Sequence, residues 1–394
     1  MAVRKIKDNI YSVGAIDWDR RLFDELIPLP EGTSYNSYII KGSEKAALID
    51  TVNPTKIDEL LANLEQLGIS KIDYIISHHA EQDHSGGIPD VLDKFPQVKV
   101  VTNPKCKTFL MELLLIPEDK FIQKSDGDKL SLGDKTLEFI IAPWVHWPET
   151  MLTYIHQDKI IFTCDFFGSH LATPNLFAED EDSLYISAKR YYAEIMMPFR
   201  KTVRNNLDKI KDYDIQIIAP SHGPLHNNPK FIMDAYRDWT SDEVKNQVLV
   251  PYISMHGSTE IMVEKLVDKL LQEGIYVKPF HITHTDIGEL AMALVDCATV
   301  VLGTPTVLAG AHPQAIYAVF LLNALRPKIK FISVIGSYGW GGRTLEQIQS
   351  IITNLDAELI PPVIIKGYPK QDDIKAVESL AETIAQKHKQ AGIF

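Results

Sequence analysis

Short apolar runs that stop in polar loops recur along the chain, and their spacing divides it into two differently patterned halves. In the first, residues 35–40 and 46–50 read as strands joined by a turn at Lys41-Gly42-Ser43. Ile57, Leu60, Leu61, Leu64 and Leu67 repeat at helical spacing, and Gly68 ends that helix. Further strand candidates are 72–76, 98–102, 137–142, 151–156, 159–163 and 215–219, while 187–210 is patterned as a helix interrupted by Pro198. From Val248 onward strands and helices alternate regularly. Strands at 249–254, 276–280, 299–302, 329–335 and 358–366 are separated by helices at 259–273, 287–296, 313–324 and 344–355, and a last helix runs from about 372 to 390. That alternation predicts an α/β chain whose second half is a five-stranded, doubly wound parallel sheet, which binds ligands at the carboxyl ends of its strands.

One polar stretch stands out against this pattern. The run 72–76 leads into Ser77-His78-His79-Ala80-Glu81-Gln82-Asp83-His84-Ser85-Gly86-Gly87, and residues 78–84 hold five side chains able to bind metal. Imidazoles and carboxylates packed so densely are costly to hold together unless a cation binds them, so His79, Glu81, Asp83 and His84 are candidate ligands. His78 is left out, because strand alternation turns it away from His79. Ligand-type residues recur just past later strands: His146 within Trp144-Val145-His146-Trp147-Pro148, Asp165 after 159–163, and His222 after 215–219. Singly, each has a plain alternative as a packed histidine, a helix cap or a turn residue. Their repeated position at strand ends is how a sheet edge collects a site from distant sequence.

Charge and cysteine usage narrow the function classes. A formal net charge of −12 argues against nucleic acid or an anionic membrane surface as a partner. Cys106, Cys164 and Cys297 are scattered without a C-x-x-C pair, which suits a reducing cytoplasm and provides no thiolate metal site. No apolar run reaches membrane-spanning length, and the charged residues at 1–9 do not form a signal peptide.

The strand-end ligands resemble the H-x-H-x-D-H signature of the metallo-β-lactamase fold, here H-x-E-x-D-H at His79, Glu81, Asp83 and His84. That variant, followed by a flavodoxin-like half, resembles the flavodiiron proteins, also called A-type flavoproteins, over nearly the whole chain. The resemblance implies a metallo-β-lactamase-like αββα diiron domain over 1–247 and a flavodoxin-like FMN domain over 248–394. It also implies one iron on His79, Glu81 and His146, a second on Asp83, His84 and His222, and Asp165 bridging. The carboxylate Glu81 in place of histidine favours iron over zinc. His226 is a rival to His222. His170 resembles a family pocket histidine that hydrogen-bonds bound substrate, with a structural role as the alternative.

Three loops of the second half suit the flavin. Ser254, Met255, His256, Gly257, Ser258 and Thr259 link its first strand and helix as an anion nest for a phosphate, resembling the flavodoxin S/T-x-T-G-x-T loop with His256 in place of a hydroxyl residue. Thr304, Pro305 and Thr306 follow the third strand. Ser337, Tyr338, Gly339, Trp340 and Gly341 follow the fourth, where glycines permit close approach and Tyr338 and Trp340 offer stacking planes. No second phosphate fingerprint appears, so FMN is expected rather than FAD.

The resemblance implies an enzyme that passes electrons through FMN to two Fe ions, which reduce O2 to water, NO to N2O, or both. Without a C-x-x-C pair no rubredoxin is fused, so a separate rubredoxin, a rubredoxin reductase chain or a reduced deazaflavin cofactor is the expected donor. A head-to-tail homodimer, or a dimer of dimers, is the expected assembly. Two rival readings are a dizinc hydrolase with a flavodoxin module and a non-catalytic electron carrier or sensor.

Overall fold

The computed structural model describes residues 3–394; Met1 and Ala2, where the expected first domain begins, lie outside the described residues. The chain divides into two compact units, Met1–Thr240 and Ser241–Phe394.

The first unit is an αββα sandwich. One sheet runs in the order Arg4–Lys7, Ile10–Ser12, Tyr38–Lys41, Ala46–Ile49, Tyr74–Ile76, Lys99–Thr102, Phe121–Gln123, antiparallel at its start and parallel from Ala46–Ile49 onward. The other runs Lys129–Ser131, Thr136–Ile141, Met151–Ile155, Ile160–Cys164, Ile217–Pro220, with only its last pair parallel. Period-two alternation sorts the side chains. Ile40, Ile49, Ile76 and Val101 meet Phe139, Met151, Ile160 and Phe162 between the sheets. Their sequence neighbours Ile39, Leu48, Ile75 and Val100 point the other way, onto Leu60 and Leu64 of helix Ile57–Gln66, Val91 of Ile88–Lys94 and Leu110 of Pro104–Leu113. Each such side chain contributes about 1.5–3 kcal/mol by leaving water. Helices Glu181–Tyr191, Arg200–Lys209 and Pro229–Thr240 complete the sandwich.

Three sequence expectations change here. The strand expected at 35–40 is split into Thr33–Tyr35 and Tyr38–Lys41, because buried Asn36 turns aside to donate to the Pro220 and Gly223 carbonyls. The helix expected from 187 starts earlier, at Glu181, where Asp180 accepts from the Asp182 and Ser183 N–H groups. It then loosens into a π turn, Tyr192–Met196, before Pro198. Residues 72–76 pair as a strand only over Tyr74–Ile76.

The second unit is a parallel sheet in the order Tyr276–His281, Lys245–Tyr252, Cys297–Val307, Phe331–Tyr338 and a fifth position, the 2-1-3-4-5 order of flavodoxin-like folds. The fifth strand expected at 358–366 is two pieces, Glu358–Leu359 and Val363–Lys366, both paired to Phe331–Tyr338. Pro361 and Pro362 lie between them, and proline has no N–H for the ladder. Helix 344–355 stops at Ile351. Among the described residues no helix is long and apolar enough to cross a membrane.

A candidate dimetal centre and a candidate flavin cavity

Four connections of the first unit deliver the clustered side chains. The loop after Tyr74–Ile76 brings His79 and Glu81, and the single helical turn Gln82–Ser85 presents Asp83 and His84 side by side. Its backbone is pinned by Thr51, whose N–H and hydroxyl both donate to the His84 carbonyl at 2.7 Å. Gly86 follows because a Cβ there would meet the Gln82 carbonyl oxygen at 2.4 Å. His146 comes from the loop before Met151–Ile155, Asp165 directly follows Cys164, and His222 lies just past Ile217–Pro220. After His222, Gly223 takes φ +78, and a Cβ on it would strike Ser169.

The ligand-type atoms form two groups. His79, Glu81, His146 and Asp165 each offer one donor atom within 4.8 Å of the others, and so do Asp83, His84 and His222. In the first group Glu81 Oε2 is 3.1 Å from His79 Nε2 and 3.2 Å from His146 Nε2. Asp165 Oδ2 lies 3.6 Å and 3.5 Å from the same two nitrogens. In the second, His222 Nε2 is 3.1 Å from Asp83 Oδ2, and Asp165 Oδ1 lies 3.0 Å from His84 Nε2 and 3.4 Å from His222 Nε2. Asp165 therefore turns one oxygen to each group. Ligands about 2.1 Å from a shared ion stand roughly 3 Å apart, which is this spacing.

Charge and satisfaction point the same way. His84 Nε2 and both Asp83 oxygens are buried without a hydrogen-bond partner, although oppositely charged atoms stand close by. Such orphaned atoms are costly unless they aim at a common cation. Burial pulls the His146 and His222 imidazoles towards neutrality, yet Asp165 with Glu81 or Asp83 outweighs it and raises them to about 9 and about 10. Burial likewise opposes ionisation of Asp165, but the charges of His84, His146 and His222 hold it well below the carboxylate range. The cluster draws positive charge to itself, which protons supply in the free chain and metal ions would supply in their place.

Partners outside the two groups fix the rings. His79 Nδ1 donates to Glu149 Oε1 at 2.7 Å, His222 Nδ1 donates to the Ser34 carbonyl at 2.6 Å, and the Tyr191 hydroxyl donates to Asp165 Oδ1 at 2.8 Å. Sequence reading did not single out Glu149, Ser34 or Tyr191. Glu149 stands three residues past His146, but directly after Pro148 nothing in the sequence marked it out. Asp24 was also missed; burial and then the Glu81 and Asp83 charges raise it to about 6. His78 turns away to Asp50 and Thr153, at 2.8 Å and 2.7 Å. His226, the rival of His222, bonds the Phe167 carbonyl at 2.9 Å, outside both groups. His170 is buried with Nδ1 on the Thr33 hydroxyl and Nε2 unpartnered, its ring 5.0 Å from that of His222. Burial, then the His222 charge, keeps it neutral.

In the second unit a cavity of about 210 Å³ opens at the carboxyl ends of the strands. Ser254, Met255, His256, Ser258, Thr259, Pro305, Thr306, Ser337, Tyr338 and Gly339 line it, together with Gly367. Gly257 does not line it but shapes it: at φ +84 it lets Ser254 Oγ accept from the Gly257 and Glu260 N–H groups. Thr259 Oγ1 is buried without a partner, a polar atom of the kind a phosphate oxygen would satisfy. Thr304 lies behind, accepting from the His312 N–H, while Trp340, 81% exposed, and Gly341 lie off the lining.

A family profile described as ODP family beta lactamase matches residues 33–223. A flavo-diiron protein of Clostridium acetobutylicum is 34% identical over 98% of this chain and 100% of its own. The nitric oxide reductase of Moorella thermoacetica is 33% identical over 97% of this chain and 98% of its own. The fold superposes on rubredoxin oxygen:oxidoreductase from Desulfovibrio gigas with a TM-score of 0.94, at 27% identity, covering 98% of this chain and 99% of that one. These likenesses run over essentially the full length, sandwich and flavodoxin-like sheet together, and the chain belongs to the flavodiiron proteins, the A-type flavoproteins.

Proposed function

We propose that this flavodiiron protein is an oxidoreductase that takes electrons from an external donor and reduces O2 to water, NO to N2O, or both. The observation that carries the reading is Asp165, whose two oxygens face two groups of ligand atoms. Relatives named as a nitric oxide reductase and a rubredoxin oxygen:oxidoreductase support it, and do not favour the dizinc hydrolase or the passive carrier.

His79, Glu81 and His146 would hold one iron, Asp83, His84 and His222 the other, with Asp165 shared. The loops at Ser254–Thr259, Thr304–Thr306 and Ser337–Gly341 would hold FMN, which assigns the metal pair to the first unit and the flavin to the second. The division falls at 240/241 and not at the expected 247/248, which would cut the strand Lys245–Tyr252. Bound there, FMN would carry single electrons and the iron pair would bind and reduce the gas. The remaining residues act on position and protons. Thr259 and the Ser254-braced turn grip the phosphate. His170 keeps a neutral imidazole with a free nitrogen beside His222, suited to a hydrogen bond with bound gas. Phe23, whose ring is 5.3 Å from that of His170, covers it with an apolar wall.

Rubredoxin, a reductase chain and reduced deazaflavin are the candidate donors, in the cytoplasm. Head-to-tail pairing would bring one subunit's flavin to the other's metals twice through one interface. A mixed dimer of one chain carrying His79→Ala and Asp165→Ala and one altered across residues 254–259 should then keep about half of wild-type activity. A mixed dimer no more active than either parent rejects the pairing. The function itself is tested anaerobically, by measuring FMN and iron per chain and then O2 and NO consumption with a chemical reductant. Full FMN and iron with neither gas consumed would reject it.

A further inference from the structure

The two ligand groups are alike in kind: each has two imidazoles and one carboxylate of its own, and Asp165 serves both. What differs lies one bond further out. His222 rests on a neutral carbonyl, that of Ser34, at 2.6 Å. His79 rests on a carboxylate, Glu149, at 2.7 Å. With a metal on His79 Nε2, the nitrogen that faces Glu81 and Asp165, the ring would keep its one proton on Nδ1 and donate it in a hydrogen bond to Glu149.

Glu149 is fully buried. Oε1 takes the His79 ring and the Ala80 N–H at 3.1 Å, while Oε2 is buried with no partner. Its backbone carbonyl accepts from Asn103 Nδ2 at 2.6 Å, which anchors the main chain at this residue. A carboxylate buried with one oxygen unmatched is strongly unfavourable unless excess positive charge lies close by. The only cationic path open to it among these contacts runs through His79 to the first ligand group. Asp24 also lies against the first group, its carboxyl hydrogen-bonded to Glu81 while its charge acts on both Glu81 and Asp83, but it meets a ligand carboxylate and not an imidazole N–H.

We infer that Glu149 is a positioning residue that makes the two metal positions unequal, holding the more highly charged ion on the His79–Glu81–His146 side. This rests on the proposed metal pair. Pulling on the His79 proton makes its other nitrogen a stronger donor to the metal, so the ion there binds more tightly and is harder to reduce. On stepwise reduction the first electron goes to the Asp83–His84–His222 side and the second to the His79 side.

Glu149→Gln keeps the shape and a carbonyl acceptor but removes the charge. In the iron- and FMN-loaded protein the second metal reduction step should become easier while the first barely moves. The equilibrium constant separating the steps should fall about tenfold or more, with a matching drop in the mixed-valence paramagnetic signal at half reduction. An unchanged separation, or both steps moving together, overturns the inference. Should the variant lose iron, titration of metal-free protein with Co2+ decides. One of two binding steps weakened about 10–100-fold upholds the inequality, and both or neither weakened overturns it. Metal analysis of the wild type separates the two claims. Zinc there would reject the diiron reading, while the Co2+ titration would still test Glu149.

Discussion

Asp165 Oδ1 lies 3.0 Å from His84 Nε2, yet that buried nitrogen makes no hydrogen bond. Both atoms are oriented for a third body instead of each other. Asp165→Asn, nearly equal in volume, removes the charge that faces both groups. It should weaken metal binding by more than about 100-fold, beyond the loss typical of outer partners, and leave FMN content unchanged. Metal and flavin analysis of one preparation checks this, and full metal occupancy would contradict it.

The Tyr191 hydroxyl donates to the same oxygen at 2.8 Å, from the last residue before the π turn. Tyr191→Phe should cost about 1.5–3 kcal/mol in metal-free unfolding, the range for a hydrogen bond to a charged group. Urea unfolding measures it, and a loss below about 0.5 kcal/mol would show the bond contributes little.

Much of the candidate centre was legible because its chemistry is dense. Four ligand-type residues within 79–84 and three more past strand ends are improbable as ordinary loops. Glu149 was not legible, since a glutamate after proline reads as a turn until the fold lays it against His79. Tyr191 was hidden for another reason: on a helix it looks like core, and only the fold turns its hydroxyl to Asp165. The break at Asn36 depends on carbonyls of residues 220 and 223, which no local pattern could reveal. The division at Pro361-Pro362, by contrast, was written in the sequence.

The second unit should fold alone as a fragment spanning 241–394 and bind FMN without turning over O2 or NO beyond free flavin. Starting at Asn246 instead would remove Lys245, which pairs with Asp296 at 2.9 Å and opens the first strand. Fluorescence titration with FMN compares the two. Failure of the longer fragment to bind would count against the loop assignment.

His388 gives that unit a pH dependence away from the metals. Its ring is buried between Thr299 and Asn246, at 2.7 Å and 2.8 Å, and burial lowers it to about 4. An unfolded imidazole titrates near 6.5. Between those values the unfolded chain takes up the proton first, so this contribution is full above about pH 6.5 and is lost as pH falls towards 4. The loss reaches roughly 3 kcal/mol at most. His388→Gln should flatten the difference in urea stability between pH 7 and pH 5, and an unchanged difference would assign it to other groups.

Anomalous diffraction at the iron edge from crystals of protein made with iron available tests the metal pair most directly. Two iron peaks are expected, one among His79, Glu81 and His146 and one among Asp83, His84 and His222, with Asp165 touching both. A single peak, peaks away from Asp165, or a zinc signal in their place would contradict the diiron reading.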